Sequence, residues 1–229
     1  MYQRAYATFA EAEASVGDMP GFDSDIGPTL YASRMGKVFP EDYPVLFWLQ
    51  PIASTLNRVF DFGGHVGLHY YAFKSMLALP AAVQWRVSDV PAVARHGAEL
   101  AKTKNAPALS FTSGFDGHDG ADLFLSSGAL QFLPKEALVT ALKTCQSRPR
   151  HLVLNKLPVV DRPAFATVQD AFVFKAPYQV FSRGELVSGL ENLGYRLRDS
   201  WENPGHHCLI WRDPEHSVQE FSGFYFERV

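Results

Sequence analysis

Val59-Phe60-Asp61-Phe62-Gly63-Gly64-His65-Val66-Gly67 is the stretch on which the reading of this chain turns: an apolar strand pattern breaks into a glycine-rich turn, and helical periodicity follows. Glycines permit positive φ and bring bare N–H groups close to a ligand, and a following helix directs its positive end at negative charge. A carboxylate or a phosphate suits such a turn. The order D-x-G-G-x-x-G, with His65 in between, departs from the G-x-G-x-x-G fingerprint of pyrophosphate loops. Glycine turns after strands also occur where no ligand binds, so the neighbours of this run must decide what it is for.

From Arg58 onward, short apolar runs alternate with longer helical patterns, the signature of a mostly parallel, doubly wound α/β sheet covered on both faces. Strands are expected near 58–62, 83–88, 108–111, 122–126 and 151–155. Helices fit near 66–78, 91–104, 135–146 and 183–193, the last stopped by Gly194. Three apolar runs follow with no helix between them: Tyr195–Trp201, His207–Trp211 and Phe224–Val229. Hairpin connections suffice only for antiparallel neighbours, so the sheet should close with an antiparallel C-terminal strand. Ahead of this 57–229 domain, residues 1–56 read as a helical appendage. It holds a short amphipathic helix within 1–17 and turns at Gly17-Asp18-Met19-Pro20-Gly21 and Asp23-Ser24-Asp25-Ile26-Gly27-Pro28. A second helix, from near Asp42, carries Val45, Leu46, Trp48, Leu49 and Ile52 inward until Pro51 kinks or ends it. Such an appendage either caps a pocket or covers sheet edge.

With 229 residues, 47% of them hydrophobic, the chain can bury a substantial core. A formal charge of -3 supplies no global basic field, so nucleic acid is a poor partner and a small molecule a better one. No apolar run approaches the roughly 20 residues of a membrane span. The start Met1-Tyr2-Gln3-Arg4-Ala5 lacks a secretory pattern, and a cytoplasmic location is expected. Cys145 and Cys208 are isolated, which argues against a disulfide framework and a structural zinc site. His206-His207-Cys208 looks metal-like, but neighbours along a strand point to opposite faces. His65 and His69 share i, i+4 spacing without an obvious acidic partner, so no metal is expected there either.

In open doubly wound sheets ligands bind beyond the carboxyl ends of the strands. The first strand delivers Asp61 and the glycine turn; the second delivers Ser88-Asp89-Val90-Pro91, with an acid where a ribose diol can be held. Asp89 also fits an ordinary cap for the helix opening at Pro91, and both roles can coexist. The fourth strand, Ala121-Asp122-Leu123-Phe124-Leu125, runs into Ser126-Ser127-Gly128-Ala129-Leu130-Gln131-Phe132-Leu133. Here the chain resembles a class I S-adenosylmethionine-dependent methyltransferase. Asp61, Gly63 and Gly67 match that family's D-x-G-x-G-x-G motif, with Gly64 also present and His65 where the middle glycine often lies. Ser126 and Ser127 match its small polar positions after the fourth strand, and Asp89-Val90-Pro91 its D-L-P segment.

The resemblance spans about Asn57 to Val229 and implies a Rossmann-like methyltransferase fold with S-adenosylmethionine as cofactor. It places Gly63, Gly64 and His65 at the methionine end, Asp89 at the ribose, and Phe115-Asp116 with Ser126-Ser127 around adenine and sulfur. Tyr43-Pro44-Val45-Leu46-Phe47-Trp48, Leu130-Gln131-Phe132-Leu133 and Gly223-Phe224-Tyr225-Phe226 also resemble a little-characterised methyltransferase group linked with polysaccharide gene neighbourhoods. That likeness implies a saccharide or other small hydroxyl-bearing acceptor; a homodimer is a separate expectation. A sulfonium needs no metal or covalent nucleophile; alignment of the acceptor supplies much of the barrier reduction, and a base helps remove a hydroxyl proton. His65, His69, Asn155 and Lys156 are the candidates for acceptor binding or proton transfer. Residues 156–181, with Gln169, Phe172, Phe174, Tyr178 and Phe181, read as a long binding loop or lid whose aromatics either meet an acceptor or pack on the sheet. Two other readings stay open: a nicotinamide-dependent oxidoreductase, disfavoured by the glycine spacing and the antiparallel ending, and a non-catalytic cofactor-binding subunit.

Overall fold

Five apolar runs in the first part of the chain form parallel strands: β1 (Arg58–Phe62), β2 (Gln84–Ser88), β3 (Leu109–Thr112), β4 (Leu123–Ser127) and β5 (His151–Leu157). The computed structural model describes residues 1–17, 21–24, 27–171 and 174–229. The strands β6 (Val159–Val160) and β7 (Phe165–Asp170) follow, then β8 (Lys175–Ser182), β9 (Tyr195–Asn203) and β10 (Phe221–Arg228). The main sheet runs β3-β2-β1-β4-β5-β10-β9, and β10 lies antiparallel between β5 and β9. Its antiparallel closure matches the expectation from the missing crossover helix.

Six α-helices accompany the strands among the described residues: α1 (Phe9–Ala14), α2 (Tyr43–Leu49), α3 (Leu68–Phe73), α4 (Pro91–Thr103), α5 (Ala137–Thr144) and α6 (Arg183–Glu191). The expected 66–78 helix shortens to α3, because Gly67 takes φ +92° immediately before it and His65 and Val66 stay in the turn. The 207–211 run is not a strand; it makes one bridge, Cys208 to Val218. Both edges of β10 are already paired, so no edge remains there for it. The expected lid over 156–181 is a second, three-stranded sheet in the order β6-β8-β7. Tyr2 and Tyr6 extend it by bridging to Gln169 and Ala166 on β7. Phe172 and parts of both N-terminal turns, Asp18-Met19-Pro20 and Asp25-Ile26, lie outside the described residues.

One hydrophobic cluster joins the appendage to the sheet: Val45, Leu46, Leu49, Ala53 and Leu56 pack with Trp85, Val87, Leu123 and Leu125. Trp48 stacks on Tyr225 at 4.7 Å and donates to Asp199 at 2.8 Å. At the amino end of the strands, the Asp122 carboxylate accepts the N–H groups of Asn57 and Arg58, 2.7 and 2.9 Å away, which fixes β4 against β1. All loops that follow β1 to β5 therefore leave the opposite end of the sheet. Among the described residues no helix is long and apolar enough to cross a membrane.

Candidate functional site

The glycine turn after β1 is shaped by collision as much as by backbone freedom. Gly63 has φ +72°, and a Cβ on it would overlap the Ala129 Cβ, so the turn after β1 and the turn after β4 touch directly. Gly64 needs no positive φ; a Cβ there would strike the Asp61 carboxylate. Asp61 itself is fully buried and accepts from Trp85 Nε1 at 3.1 Å and His69 Nδ1 at 2.9 Å. His69 thus has the acidic partner that its sequence neighbourhood did not suggest. His65, in the left-handed region at φ +56°, donates from Nε2 to the Gly27 carbonyl at 2.9 Å and ties the N-terminal segment to the turn. Its Nδ1 is buried with no partner among the described residues.

Asp89 holds this turn from the next strand. One carboxylate oxygen accepts the His65 N–H and the other the Val90 N–H, both at 2.9 Å. It does not cap α4 at the usual N2 or N3 donor; Asp23 takes that place, accepting the Ala92 N–H at 2.8 Å. Burial raises the Asp89 pKa, against the pull of its Val90 and His65 backbone bonds and the nearby His65 ring. A carboxylate has about four lone-pair positions, so two backbone bonds leave room for a diol.

These loops form the floor of a cavity of about 630 Å³, within the roughly 300–1,000 Å³ of small-molecule sites. Gly63, Gly64, His65, Asp89, Val90 and Ser127 line it, as do His69 and Lys156. Asp61, Gly67, Ser126 and Asn155 lie behind that surface and shape it. Phe115 and Asp116 stand off the cavity: the Phe115 ring stacks on Phe62 at 4.8 Å, and Ser113 and Gly114 reach the cavity in their place. Asn155 is fully buried and bonded on all sides. Its amide donates to the Glu41 carbonyl at 3.0 Å and Ser127 Oγ at 3.1 Å, and its carbonyl accepts from Trp201 and Asn203 at 2.9 and 3.1 Å. These bonds pin the N-terminal segment to the carboxyl ends of β4 and β5.

The roof comes from segments whose role the sequence did not disclose. Tyr2, Tyr31, Arg34 and Asp42 descend from the N-terminal region, Gln169 and Tyr178 from the small sheet, and His206 and His207 from the turn after β9. The two histidines share one cavity because this turn is not a strand, so they escape strand alternation. Arg34 pairs with Glu41 at 2.8 Å, and His206 Nε2 stands 3.9 Å from the same carboxylate. Burial and the charge of Lys156 hold the His206 pKa below its ordinary value. Arg34 and Lys37, isolated in sequence, carried no motif that marked them.

No family model and no curated protein matches the chain. Among solved structures it is similar to magnesium protoporphyrin IX methyltransferase from Synechocystis, with S-adenosylhomocysteine bound, at 14% identity, covering 91% of this chain and 96% of that one, with a TM-score of 0.57. A second likeness is to 1,6-didemethyltoxoflavin-N1-methyltransferase from Burkholderia thailandensis, at 16% identity over 84% of this chain and 91% of that one, TM-score 0.51. The chain has the Rossmann-like methyltransferase fold. It spans 50% of the length of the mitomycin 7-O-methyltransferase, which it matches over 77% of its own at 20% identity and a TM-score of 0.48. At these identities the likeness is one of fold, and the cavity must speak for the chemistry.

Proposed function

We propose that this chain is an S-adenosylmethionine-dependent methyltransferase acting on an oxygen of a small molecule or saccharide. One observation carries the reading: the turn at Gly63–His65, the Asp89 carboxylate and the turn at Ser127–Ala129 open onto one cavity at the carboxyl ends of β1, β2 and β4. In that reading Asp89 holds the ribose diol, the turn around Gly63 and Gly64 approaches the methionine part, and Ser113 and Gly114 face the adenine. The cavity's remaining space, beneath Tyr31, Arg34, Tyr178 and His206, takes the acceptor. When bound, the cofactor supplies an already activated methyl carbon; the protein has to align the acceptor and keep water away. The saccharide part rests on the resemblance of the Tyr43–Trp48, Leu130–Leu133 and Gly223–Phe226 segments. A cytoplasmic location and a homodimer complete the reading and are read by fractionation and by sedimentation.

Titration calorimetry with S-adenosylhomocysteine and with NAD tests the cofactor. Saturable binding of the thioether is expected; binding of NAD alone reverses the reading in favour of an oxidoreductase. Transfer of labelled methyl to a panel of saccharides and phenols tests the activity, and thioether binding with no transfer to any acceptor favours a non-catalytic subunit.

A further inference from the structure

Lys156 occupies a conformation that residues with a Cβ rarely adopt, φ +54° inside β5. The turn is over-determined by its neighbours: Asn155 is locked by its four hydrogen bonds and Leu157 is fully buried. Lys156 thereby leaves strand alternation and lays its stem over Gly128, where an added Cβ would stand 3.5 Å from the Lys156 Cε. Gly128 adjoins Ala129, the residue that touches Gly63. The amine therefore stands at the junction of the β1, β4 and β5 turns, facing the cavity.

Among the described residues Lys156 Nζ makes no hydrogen bond and no ion pair. The charged groups around it come from three segments. Arg34 approaches from the N-terminal roof, Glu41 and Asp42 from the turn before α2, and His206 from the turn after β9, while Lys37 and His207 line the same cavity. Glu41 is committed to Arg34, and the Asp42 carboxylate accepts the Phe39 N–H at 2.9 Å. Burial and the Arg34 guanidinium hold the lysine's pKa below its usual value, against the opposing pull of Asp42 and Glu41. His206 is worse placed for proton transfer, since Nε2 turns to Glu41 and Nδ1 is buried.

We propose that Lys156, as the neutral amine, takes the proton of the acceptor hydroxyl during methyl transfer. The acceptor oxygen forms its bond to the methyl carbon as the carbon–sulfur bond breaks, and that bond's electron pair remains on sulfur. The hydroxyl proton passes to Nζ, so the positive charge lost at sulfur reappears as the Lys156 ammonium, which releases its proton to solvent. The proposal rests on the methyltransferase reading.

S-adenosylmethionine and S-adenosylhomocysteine differ by one methyl and one positive charge at sulfur, so their affinity ratio reports the charge state of the group nearest the sulfur. Measured by calorimetry between about pH 7 and 10, the preference for the sulfonium should grow on the order of ten-fold as Lys156 loses its proton. The ratio should be independent of pH in Lys156→Met and in Lys156→Arg, higher in the first and lower in the second. A wild-type slope that persists in either variant overturns the proposal, as does a slope abolished by His206→Gln and not by Lys156→Met. Should Lys156→Met fail to fold, Lys156→Arg decides. Failure of both ligands to bind the wild-type chain removes the methyltransferase reading instead.

Discussion

Gly63 and Gly64 look alike in the sequence and are needed for different reasons. Alanine at Gly63 has to bear both φ +72° and overlap with Ala129, whereas alanine at Gly64 displaces the Asp61 carboxylate from Trp85 and His69. Gly63→Ala should destabilise the fold by about 1–3 kcal/mol and lower affinity for S-adenosylhomocysteine by at least about ten-fold, read by thermal melting and calorimetry. Unchanged binding would show that the turn is no part of the site. Asp89 adds a pH signature. Because burial raises its pKa, it takes up a proton on acidification sooner than an ordinary aspartate, whose value is 3.8. Its acceptor capacity for a diol is complete above that raised pKa and is lost as pH falls through it. Thioether affinity should therefore weaken in mild acid, and Asp89→Asn should show the weaker affinity at every pH; equal acid sensitivity in both forms would assign the effect to another group. The sequence disclosed Asp89 and the glycines because each follows a strand directly. It could not disclose the His69–Asp61 pair, which forms only when α3 folds back over β1.

At the scale of elements, the strands of the main sheet were legible because each is a short apolar run bounded by turn residues. The small sheet was not: β7 buries Phe165, Ala166, Thr167 and Val168 in succession, so alternation is absent, and β8 carries Pro177 within it, a residue that argues against a strand when read from sequence. Its order depends on long-range partners, including Tyr2 and Tyr6, that no local pattern reveals. Helix α3 was overestimated for a related reason, since the apolar positions beyond Phe73, such as Leu77, are buried by packing in a turn. Strand pairing also carries a pH prediction. His151 on β5 and Tyr225 on β10 share a hydrogen bond of 2.9 Å, and burial holds the histidine below its ordinary pKa of 6.5. Folding therefore excludes a proton that the unfolded chain accepts. The resulting stability is present above 6.5 and is lost as pH falls through that value toward the folded one. The melting temperature should drop between about pH 7 and pH 5, and His151→Gln should shrink that drop. His206, shifted the same way, supplies the remainder. An identical drop in the variant would remove His151 from the account.

Across the whole molecule, the cavity has a floor made by one sheet and a roof made by three separate pieces of chain. The floor is stabilised by the hydrophobic clusters around β1, β4 and β5, and the small sheet has a hydrophobic cluster of its own, while the N-terminal piece of the roof is tied to the floor by polar links such as His65 to Gly27, Asp23 to Ala92 and Asn155 to Glu41. A segment joined to the core through such links opens at lower free energy than core strands. A ligand that touches both surfaces shifts that equilibrium in proportion to its affinity, because it binds only where floor and roof are both in place. Saturating S-adenosylhomocysteine should accordingly slow amide exchange not only at 63–67 and 89–91 but also across 27–42, with little change in β9 or α5. Hydrogen-exchange mass spectrometry reads the pattern directly. Protection confined to 63–67 and 89–91 would mean that the roof does not close on the cofactor. The Tyr31, Arg34 and Asp42 side chains would then serve only the acceptor, and protection over 27–42 would appear when the methylated product is added.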